Sequence, residues 1–432
     1  MFHAYSHYVI HNVEVWTTRG RLLAQDVEVQ GGRVVALGPT GPVNPQLKVI
    51  EGKGWVLLPA GVDPQVHLRV PGQAQKETPG TGLLAALRGG IAAVLTMPNT
   101  KPTIDSEAVC EEATLELQEA EHLLGVKTYL SAAISKGLKG QEPTDYASLA
   151  RWGVKAFTDD GLGVVDDQIM RAVFAASAAT GLPVLQHAEF PGHGGVLAAG
   201  PVQEAIHSPA YPATAESDMV ARDIRLLREN PKARYHVLHV SARETLEHVR
   251  AAKAEGLLVS CEVTPHHLWF TSQDILPGFT AFKMNPPLRQ EADRSALRQA
   301  LREGLIDFVA TDHAPHEEEV KTENFKTAAF GTTGLETSLR VLLSLHAAGE
   351  LPLERLVEVF SAAPARFLGI DAEYGDIAVG KPLHAVLVNA AGHSPIGEDD
   401  LFSLAKNNCF LGTALAGEIE AVFLKDRHYP FV

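Results

Sequence analysis

One strand-like segment carries side chains that could bind a divalent metal ion. At the end of an apolar run the chain reads Pro59-Ala-Gly-Val-Asp-Pro-Gln-Val-His67-Leu-Arg-Val-Pro-Gly72. Side chains two residues apart project from the same face of a strand, so a His-x-His pair here would hold one ion through neutral imidazole. In this chain the first partner is Gln65, and only His67 remains. The segment therefore predicts a metal-binding strand end that lacks one ligand.

Compact apolar runs alternate with amphipathic stretches along most of the chain, which is typical of βα units around a parallel sheet. Helices are predicted at 106–124, 166–180, 217–229, 242–255 and 292–303, with Ser217-Asp218 and Ser241 as N-caps. Strands are predicted at 55–58, 91–97, 126–134, 153–157, 182–187, 234–240, 257–263 and 306–311. This alternation predicts an α/β fold, a (β/α)8 TIM barrel, whose active site lies at the carboxyl ends of its strands.

The two ends of the chain have a different pattern. Residues 8–58 carry short alternating runs punctuated by Gly and Pro, which indicate antiparallel β-structure. Short β signals return after two further helices predicted near 335–349 and 353–368. We therefore predict a small β-rich domain formed from both termini, with 1–58 as its N-terminal part and 371–432 as its C-terminal part. The barrel is expected to span 59–370.

The composition is that of a globular protein and disfavours several partners. Hydrophobic residues make up 45% of the 432, and the net charge is −15 with the acidic residues spread along the chain. This charge disfavours a nucleic-acid or anionic-membrane surface, and no apolar run approaches the ~20 residues that span a bilayer. Cys110, Cys261 and Cys409 match no disulfide or zinc-finger spacing. We expect a cytoplasmic protein with no nucleic-acid and no membrane partner.

Polar side chains accumulate where the predicted strands end. A single buried His is more often a satisfied core residue than a metal ligand. Five strand ends that each offer a His or Asp to one barrel mouth are hard to explain by packing, and they indicate a metal site. Nitrogen and carboxylate donors suit Zn²⁺, with Mn²⁺ or Co²⁺ as geometric alternatives. The strand-end residues are Asp63, Gln65, His67, Arg69, Asn99, Asp159, Asp160, His187, Glu189, His236, His239, His266, His267, Asp312, His313 and His316.

Six motifs, four of which include strand-end residues, resemble those of the bacterial type I dihydroorotases, a family of the amidohydrolase superfamily. The similarity runs from about Tyr8 to the C-terminus, and together the motifs are highly specific. They read His67-Leu-Arg-x-Pro-Gly, Met97-Pro-Asn-Thr-Lys-Pro, Phe157-Thr-Asp-Asp-Gly, Met284-Asn-Pro-Pro-Leu-Arg, Ala310-Thr-Asp-His-Ala-Pro-His and Phe330-Gly-x-x-Gly-Leu-Glu-Thr. The resemblance implies a metal-dependent cyclic amide hydrolase.

The resemblance also implies a set of metal ligands. These are His67, Asp160, His187, His239 and Asp312. Asp160 corresponds to the carboxylate that bridges two metals. His187 and His239 correspond to ligands of one metal, and His67 and Asp312 to ligands of the other. Asp312 also corresponds to the catalytic base. Where the family has a further His, this chain has Gln65. We expect one or two Zn²⁺ per chain, with the second site in question because an amide oxygen is a poorer zinc donor than imidazole.

The same motifs imply the substrate contacts. The corresponding residues are Arg69, Asn99, Asn285, His316, Phe330 and Gly331. In the family, the residues matching Arg69, Asn99 and His316 bind the carboxylate of dihydroorotate, and the one matching Asn285 contacts the ring. A guanidinium can pair with a carboxylate through two hydrogen bonds, which is a reason to prefer Arg over Lys at position 69. The structural alternative for Arg69 is a salt bridge at the barrel rim.

Several other polar residues are first assigned structural roles. His266 and His267 could support the metal ligands from outside or simply cap the strand predicted at 257–263, and the structural role is preferred. A carboxylated lysine bridges the metals in relatives such as allantoinases and hydantoinases, but the Asp160 motif makes Lys155 unnecessary here. The run Glu317-Glu318-Glu319 is expected to be a solvated face. Together with 321–334 it forms a polar segment that could close over the site as a lid.

The function implied by the resemblance is the reversible cyclisation of N-carbamoyl-L-aspartate to L-dihydroorotate, a step of de novo pyrimidine (UMP) biosynthesis, by a homodimer. The alternative is a catalytically impaired homologue that supports the assembly of aspartate carbamoyltransferase, and Gln65 is the one feature that favours it. A third interpretation, another cyclic amide hydrolase, fits poorly because the motifs that imply a carboxylate-bearing substrate are intact.

Overall fold

Eight parallel strands form the central barrel of the computed structural model, which describes residues 2–431. They are β1 (Gly61–Val66), β2 (Ile91–Thr96), β3 (Lys127–Ala132), β4 (Ala156–Thr158), β5 (Pro183–Gln186), β6 (Arg234–Val237), β7 (Val259–Val263) and β8 (Phe308–Val309). Each strand pairs with the next along the chain. Just beyond β8, His313 lies beside Val66, and the His67 N–H donates to His313 O at 2.9 Å. The barrel therefore closes, and the predicted (β/α)8 fold is confirmed.

The prediction that 55–58 forms the first barrel strand is wrong. Val56–Pro59 belongs to a second sheet, where it pairs with His384–Pro395 and His7–Thr17. The strand that starts the barrel is Gly61–Val66. Both segments are buried along their whole length, and burial on both faces removes the alternation that would distinguish them in the sequence. Consequently Asp63 and Gln65 lie inside β1, and His67 lies just beyond its end.

Helices cover the outside of the barrel between successive strands. The α-helices are Pro79–Arg88, Glu107–Leu124, Tyr146–Trp152, Asp167–Thr180, Pro201–Ala205, Thr214–Leu227, Arg243–Ala254, Pro265–Trp269, Glu291–Glu303, Ser338–Ala347, Leu353–Val357 and Ala363–Phe367, the last two joined by π-helical Glu358–Ala362. Single 3₁₀ turns occur at Lys136–Leu138, Thr280–Phe282, Glu318–Val320 and Glu398–Asp400. None of the helices within 2–431 is long and apolar enough to cross a membrane.

Both predicted N-caps are wrong. The helix predicted at 217–229 begins at Thr214, so Ser217 lies buried inside it. The cap of Arg243–Ala254 is Ala242. Ser241 instead bonds to the buried Glu216 carboxylate through both its backbone N–H and its hydroxyl. Ser241 therefore binds a carboxylate that is remote along the chain and does not provide the helix cap that the local pattern predicts.

The second sheet joins the two ends of the chain. Its strands are His3–Ala4, His7–Thr17, Gly20–Gln30, Arg33–Pro39, Lys48–Glu51, Val56–Pro59, His384–Pro395, Ala414–Leu424 and Arg427–Pro430. The central contact is antiparallel pairing between Val56–Pro59 and His384–Pro395, so the N-terminal and C-terminal strands share one sheet. This is the small β-rich unit that the alternating runs predicted.

The second sheet packs against the barrel through one of its faces. In His384–Pro395, Ala385 and Leu387 belong to the core of the sheet itself, whereas Val386 and Val388 belong to the core shared with the barrel. Alternate side chains of a strand point to opposite faces, so one strand contributes to both cores. The C-terminal part of the chain is thereby anchored beside the barrel.

Candidate active site

The carboxyl ends of five barrel strands bring the predicted metal ligands together. His67, Asp160, His187, His239 and Asp312 follow β1, β4, β5, β6 and β8, and all five are buried. Their potential ligand atoms form two groups with a shared member. One group is Asp160, His187 and His239, and the other is His67, Asp160 and Asp312, with the atoms of each group within 4.8 Å of one another.

Asp160 lies between the two groups, and each of its oxygens faces one of them. Its Oδ2 is 3.1 Å from His67 Nε2, which is also 3.1 Å from Asp312 Oδ1. Its Oδ1 is 3.5 Å from His187 Nδ1 and 3.7 Å from His239 Nε2. A carboxylate that presents its two oxygens to two separate donor groups can bridge two cations.

The outer nitrogens of two of these rings are held by acceptors. His67 Nδ1 lies 2.8 Å from Asn99 Oδ1, and His187 Nε2 lies 3.2 Å from a Glu189 carboxylate oxygen. Because these oxygens can only accept, the outer ring nitrogens donate, and in the neutral ring the inner nitrogen keeps a lone pair for a cation. The sequence marks Glu189 only as a strand-end residue, and its position two residues after His187 is the one signal of this contact.

The electrostatics of the site favour positive charge. Burial alone would raise the pKa of Asp160, but hydrogen bonds from His187, His239 and His67 hold it well below its usual value. Burial alone would lower the pKa of His187, but Asp160 and Glu189 raise it to about 10. A set of buried carboxylates and imidazoles with this preference matches the donors of a divalent cation.

Gln65 occupies the position next to Asp160 where a His would complete the set. The side chain is fully buried, and its Nε2 donates to Asp160 Oδ2 at 3.2 Å. Its Oε1 is buried without a hydrogen-bond partner in residues 2–431. Gln65 therefore reaches the metal-ligand groups, but the atom it can offer to a cation is a neutral amide oxygen.

Three of the site residues adopt a backbone conformation that is uncommon for side chains other than Gly. The φ angles are +61° at Arg69, +32° at His239 and +48° at Asp312. Residues held in such regions cost on the order of 1–3 kcal/mol each and cluster at functional sites. Here the surrounding structure aims one substrate-contact candidate and two ligand candidates into the same mouth.

All predicted metal ligands and substrate contacts line one cavity of about 230 Å³. Inside it, Arg69 donates from Nε to Pro315 O at 3.3 Å, and its Nη2 lies 3.3 Å from His316 Nε2. Neither partner is anionic, so these contacts do not form the rim salt bridge of the structural alternative. Burial lowers the pKa of Arg69 to about 10, which still leaves it charged at neutral pH. Burial and Arg69 lower the pKa of His316 to about 2, so the imidazole is neutral.

The two asparagines predicted to contact substrate also contact the ligand residues. Asn99 lines the cavity and holds His67 through its Oδ1, so its Nδ2 remains as a potential donor to a ligand. Asn285 Nδ2 donates to Glu189 at 2.7 Å and lies 3.1 Å from His187 Nε2. The Oδ1 of Asn285 is buried without a partner in the described part of the chain, so it can accept a hydrogen bond from a ligand.

The residues first assigned structural roles lie outside both ligand groups. His267 bridges Thr264 Oγ1 at 2.7 Å and Pro286 O at 3.1 Å, so it ties the end of β7 to the loop that carries Asn285. Lys155 places its Nζ over the Tyr129 ring, 5.3 Å from the ring centroid. Neither residue belongs to the candidate metal groups.

Comparison with known proteins shows the family of the chain. Residues 56–420 match the amidohydrolase family. This chain belongs to the amidohydrolase family. It is 38% identical over 417 residues to a dihydroorotase of Lactiplantibacillus plantarum, with 95% of each chain covered, and 37% identical over 402 residues to a dihydroorotase of Bacillus caldolyticus, with 92% of each covered.

The solved structures show the same fold in more distant relatives. An L-hydantoinase (dihydropyrimidinase) from Arthrobacter aurescens superposes with a TM-score of 0.86 at 24% identity, covering 98% of this chain and 95% of the other. A dihydropyrimidinase from Brevibacillus agri superposes with a TM-score of 0.84 at 22% identity, covering 97% and 94%. At this identity the likeness concerns the fold alone.

Replacing Glu189 with Gln is expected to weaken metal binding at His187 by roughly 10- to 100-fold, because the amide is a weaker acceptor for the outer ring N–H. The measurement is metal retention during competition with a chelator, at equal protein concentration. Glu318→Gln, which changes an exposed glutamate that shares a neighbouring cavity with His316, is the matched control and should retain metal like the wild type. Identical retention in Glu189→Gln would show that Glu189 does not orient His187.

Proposed function

We propose that this protein is a dihydroorotase, which reversibly hydrolyses L-dihydroorotate to N-carbamoyl-L-aspartate in de novo pyrimidine (UMP) biosynthesis. The observation that carries the proposal is a buried, charged Arg69 with neutral partners, in the same cavity as two candidate metal groups. Such a guanidinium suits a substrate carboxylate. The curated relatives named dihydroorotase support the same conclusion. Hydrolysis and ring closure by the purified, metal-loaded protein test it, and absence of both would reject it.

The chain divides the reaction among a few side chains. A divalent cation held by Asp160, His187 and His239 would acidify a water molecule and polarise the ring carbonyl. Asp312 accepts the proton of the attacking water as the new carbon–oxygen bond forms. It then gives this proton to the ring nitrogen as the carbon–nitrogen bond breaks. Arg69 holds the substrate carboxylate, so the ring carbonyl stays beside Asp312.

The neutral His316 has a specific part in substrate binding. A charged imidazole beside Arg69 would repel the guanidinium, and burial prevents that charge from forming. The neutral ring can donate one hydrogen bond to a carboxylate while the guanidinium supplies the charge. Run in the opposite direction, the same contacts hold the α-carboxylate of N-carbamoyl-L-aspartate during ring closure.

We propose Zn²⁺ as the cation and an unequal pair of sites. Asp160, His187 and His239 supply one carboxylate and two imidazoles, a strong zinc set. The group of His67, Asp160 and Asp312 has one imidazole, and Gln65 adds only an amide oxygen. The first site should hold one ion tightly, and the second should be partly filled or respond to added Zn²⁺ or Mn²⁺.

Replacing Gln65 with His is expected to raise the metal content from about one towards two ions per chain and to increase turnover, because the new imidazole completes the weaker site. Metal analysis after dialysis at low free zinc checks the first expectation, and steady-state kinetics the second. If the wild-type protein already holds two ions under these conditions, Gln65 is not a defect. If Gln65→His fills both sites without measurable turnover of dihydroorotate, the scaffold alternative replaces the catalytic proposal.

A non-catalytic subunit that supports aspartate carbamoyltransferase is not favoured by the geometry. A scaffold requires neither the two ligand groups nor the substrate-contact candidates, yet all of them line one cavity. We propose instead an active homodimer in the cytoplasm, and its three buried free cysteines are consistent with a reducing compartment. Sedimentation of the purified protein, alone and mixed with aspartate carbamoyltransferase, tests both the dimer and the partner.

A further inference from the structure

A segment from the C-terminal part of the chain reaches the mouth of the barrel. Residues 401–409, called the strap below, are held by two buried glutamates of the barrel. The N–H groups of Phe402 and Ser403 donate to Glu336 at 2.9 and 3.0 Å. The N–H of Leu404 donates to Glu77 at 3.0 Å. The strap is therefore fixed on the barrel itself, although it follows the last barrel helix by more than thirty residues.

Asn407 of the strap joins two loops of the candidate active site. Its Oδ1 accepts the backbone N–H of His316 at 3.2 Å. Its Nδ2 donates to Ala314 O at 3.2 Å and to Gly331 O at 3.0 Å. The side chain thus binds both the loop that carries His316 and the loop that carries Phe330 and Gly331.

The backbone of Asn407 adds to the same connection. Its carbonyl accepts the N–H of Thr333 and the hydroxyl of Thr332, each at 3.0 Å. The two loops also pair directly, where the Ala314 N–H donates to Thr332 O at 2.9 Å. A second direct bond joins them where the Gly334 N–H donates to His313 Nδ1 at 3.2 Å. At the end that carries His316 and Gly331, the link runs through the Asn407 side chain.

The two loops lie so close together that a small displacement of either loop would move residues that line the cavity. A Cβ placed on Gly331 would lie 2.7 Å from Ala314 O and 3.1 Å from His316 Cδ2. His316 in turn lies 3.3 Å from the Arg69 guanidinium. The position of His316 relative to Arg69 therefore depends on how far apart the two loops are held.

We propose that Asn407 is a positioning residue that sets the spacing of the carboxylate-binding residues, so that the C-terminal strap decides how tightly the substrate is held. The inference rests on the proposed function, since the carboxylate is that of dihydroorotate. Asn407 contacts the loops that bind the substrate and none of the metal ligands through its hydrogen bonds. Its effect should therefore appear in substrate binding and not in metal content.

Asn407→Ala and Asn408→Ala form a matched pair for the test. Asn408 is a fully buried neighbour in the strap, whose Nδ2 donates to Thr333 O at 3.2 Å and whose Oδ1 accepts the Phe410 N–H at 2.8 Å. Both changes should lower the melting temperature, because each removes buried hydrogen bonds. We expect Asn407→Ala alone to raise the KM for L-dihydroorotate by about tenfold or more, with little change in kcat or metal content. Equal KM increases in both variants would overturn the proposal.

Hydrogen exchange gives a second readout that does not need substrate. The His316 amide should exchange faster in Asn407→Ala, which lacks its acceptor, and at the wild-type rate in Asn408→Ala. A wild-type protein inactive on dihydroorotate would reject the proposed function, and this exchange experiment would still decide whether Asn407 holds the loop. If Asn407→Ala does not fold, Asn407→Asp retains the acceptor but loses both donors. It should keep slow exchange at His316 and raise KM, and a wild-type KM there would contradict the proposal.

Discussion

Replacing Asp312 with Asn is expected to reduce dihydroorotate turnover by about a thousandfold or more while the barrel remains folded. General base catalysis typically contributes about 10²- to 10⁴-fold, and here the same carboxylate is also a candidate metal ligand. Its Oδ1 lies 3.1 Å from His67 Nε2, so the amide would disturb the weaker metal group as well. The measurement is kcat at saturating substrate, with the metal content of each preparation determined.

Asp307 offers a matched control for this change. Asp307 precedes β8, whereas Asp312 follows it. The Asp307 carboxylate accepts hydrogen bonds from Lys253 Nζ and from the Cys261 N–H. Asp307→Asn should lower stability slightly and leave turnover close to that of the wild type. Substantial turnover in a fully metallated Asp312→Asn protein would contradict the assignment of Asp312 as the base.

Arg69→Met is the second change with a large expected effect. Removing one partner of a buried charged pair costs about 2–5 kcal/mol, which corresponds to roughly a 30- to 5,000-fold loss in kcat/KM for dihydroorotate. Dihydrouracil, a neutral cyclic amide without the carboxylate, should be affected far less. The measurement is kcat/KM for both substrates in both proteins.

Lys76→Met is the control for general electrostatic attraction. Burial and the nearby charge of Arg69 lower the pKa of Lys76. Lys76 in turn adds to burial and Arg69 in lowering the pKa of His316. Removing this half-buried charge should reduce kcat/KM for dihydroorotate only slightly, because no direct contact with the carboxylate is lost. Equal losses on both substrates in Arg69→Met would show that Arg69 supports the structure and does not select the carboxylate.

The barrel and the positions of the candidate ligands could be predicted because both depend on local patterns. Buried strands that alternate with amphipathic helices predict a parallel barrel, and the chemistry of such a barrel lies at the carboxyl ends of its strands. The strand-end pattern therefore assigns His67, Asp160, His187, His239 and Asp312 to one mouth without knowledge of any distance, and the resemblance to the dihydroorotase motifs singles these five out as ligands. The structure places all five there.

The features that sequence reasoning missed depend on contacts between distant residues. The apolar runs Val56–Pro59 and Gly61–Val66 look alike in the sequence. Only the pairing of Val56–Pro59 with His384–Pro395 assigns it to the second sheet. Asn407 lies about ninety residues from His316, in a segment whose own pattern indicated only short β-structure. Ser241 had the form of a cap, but the buried Glu216 competes for it. In each case the deciding partner is remote along the chain.

The preference for a carboxylate-bearing ring is the central claim, and the ratio of kcat/KM for L-dihydroorotate to that for dihydrouracil tests it most directly. The ratio should be measured on the wild-type protein at a determined metal content, so that both substrates meet the same site. A buried Arg69 dedicated to the carboxylate predicts a ratio of about 100 or more. A ratio near one, or a preference for dihydrouracil, would contradict the account and identify the protein as a hydrolase of neutral cyclic amides.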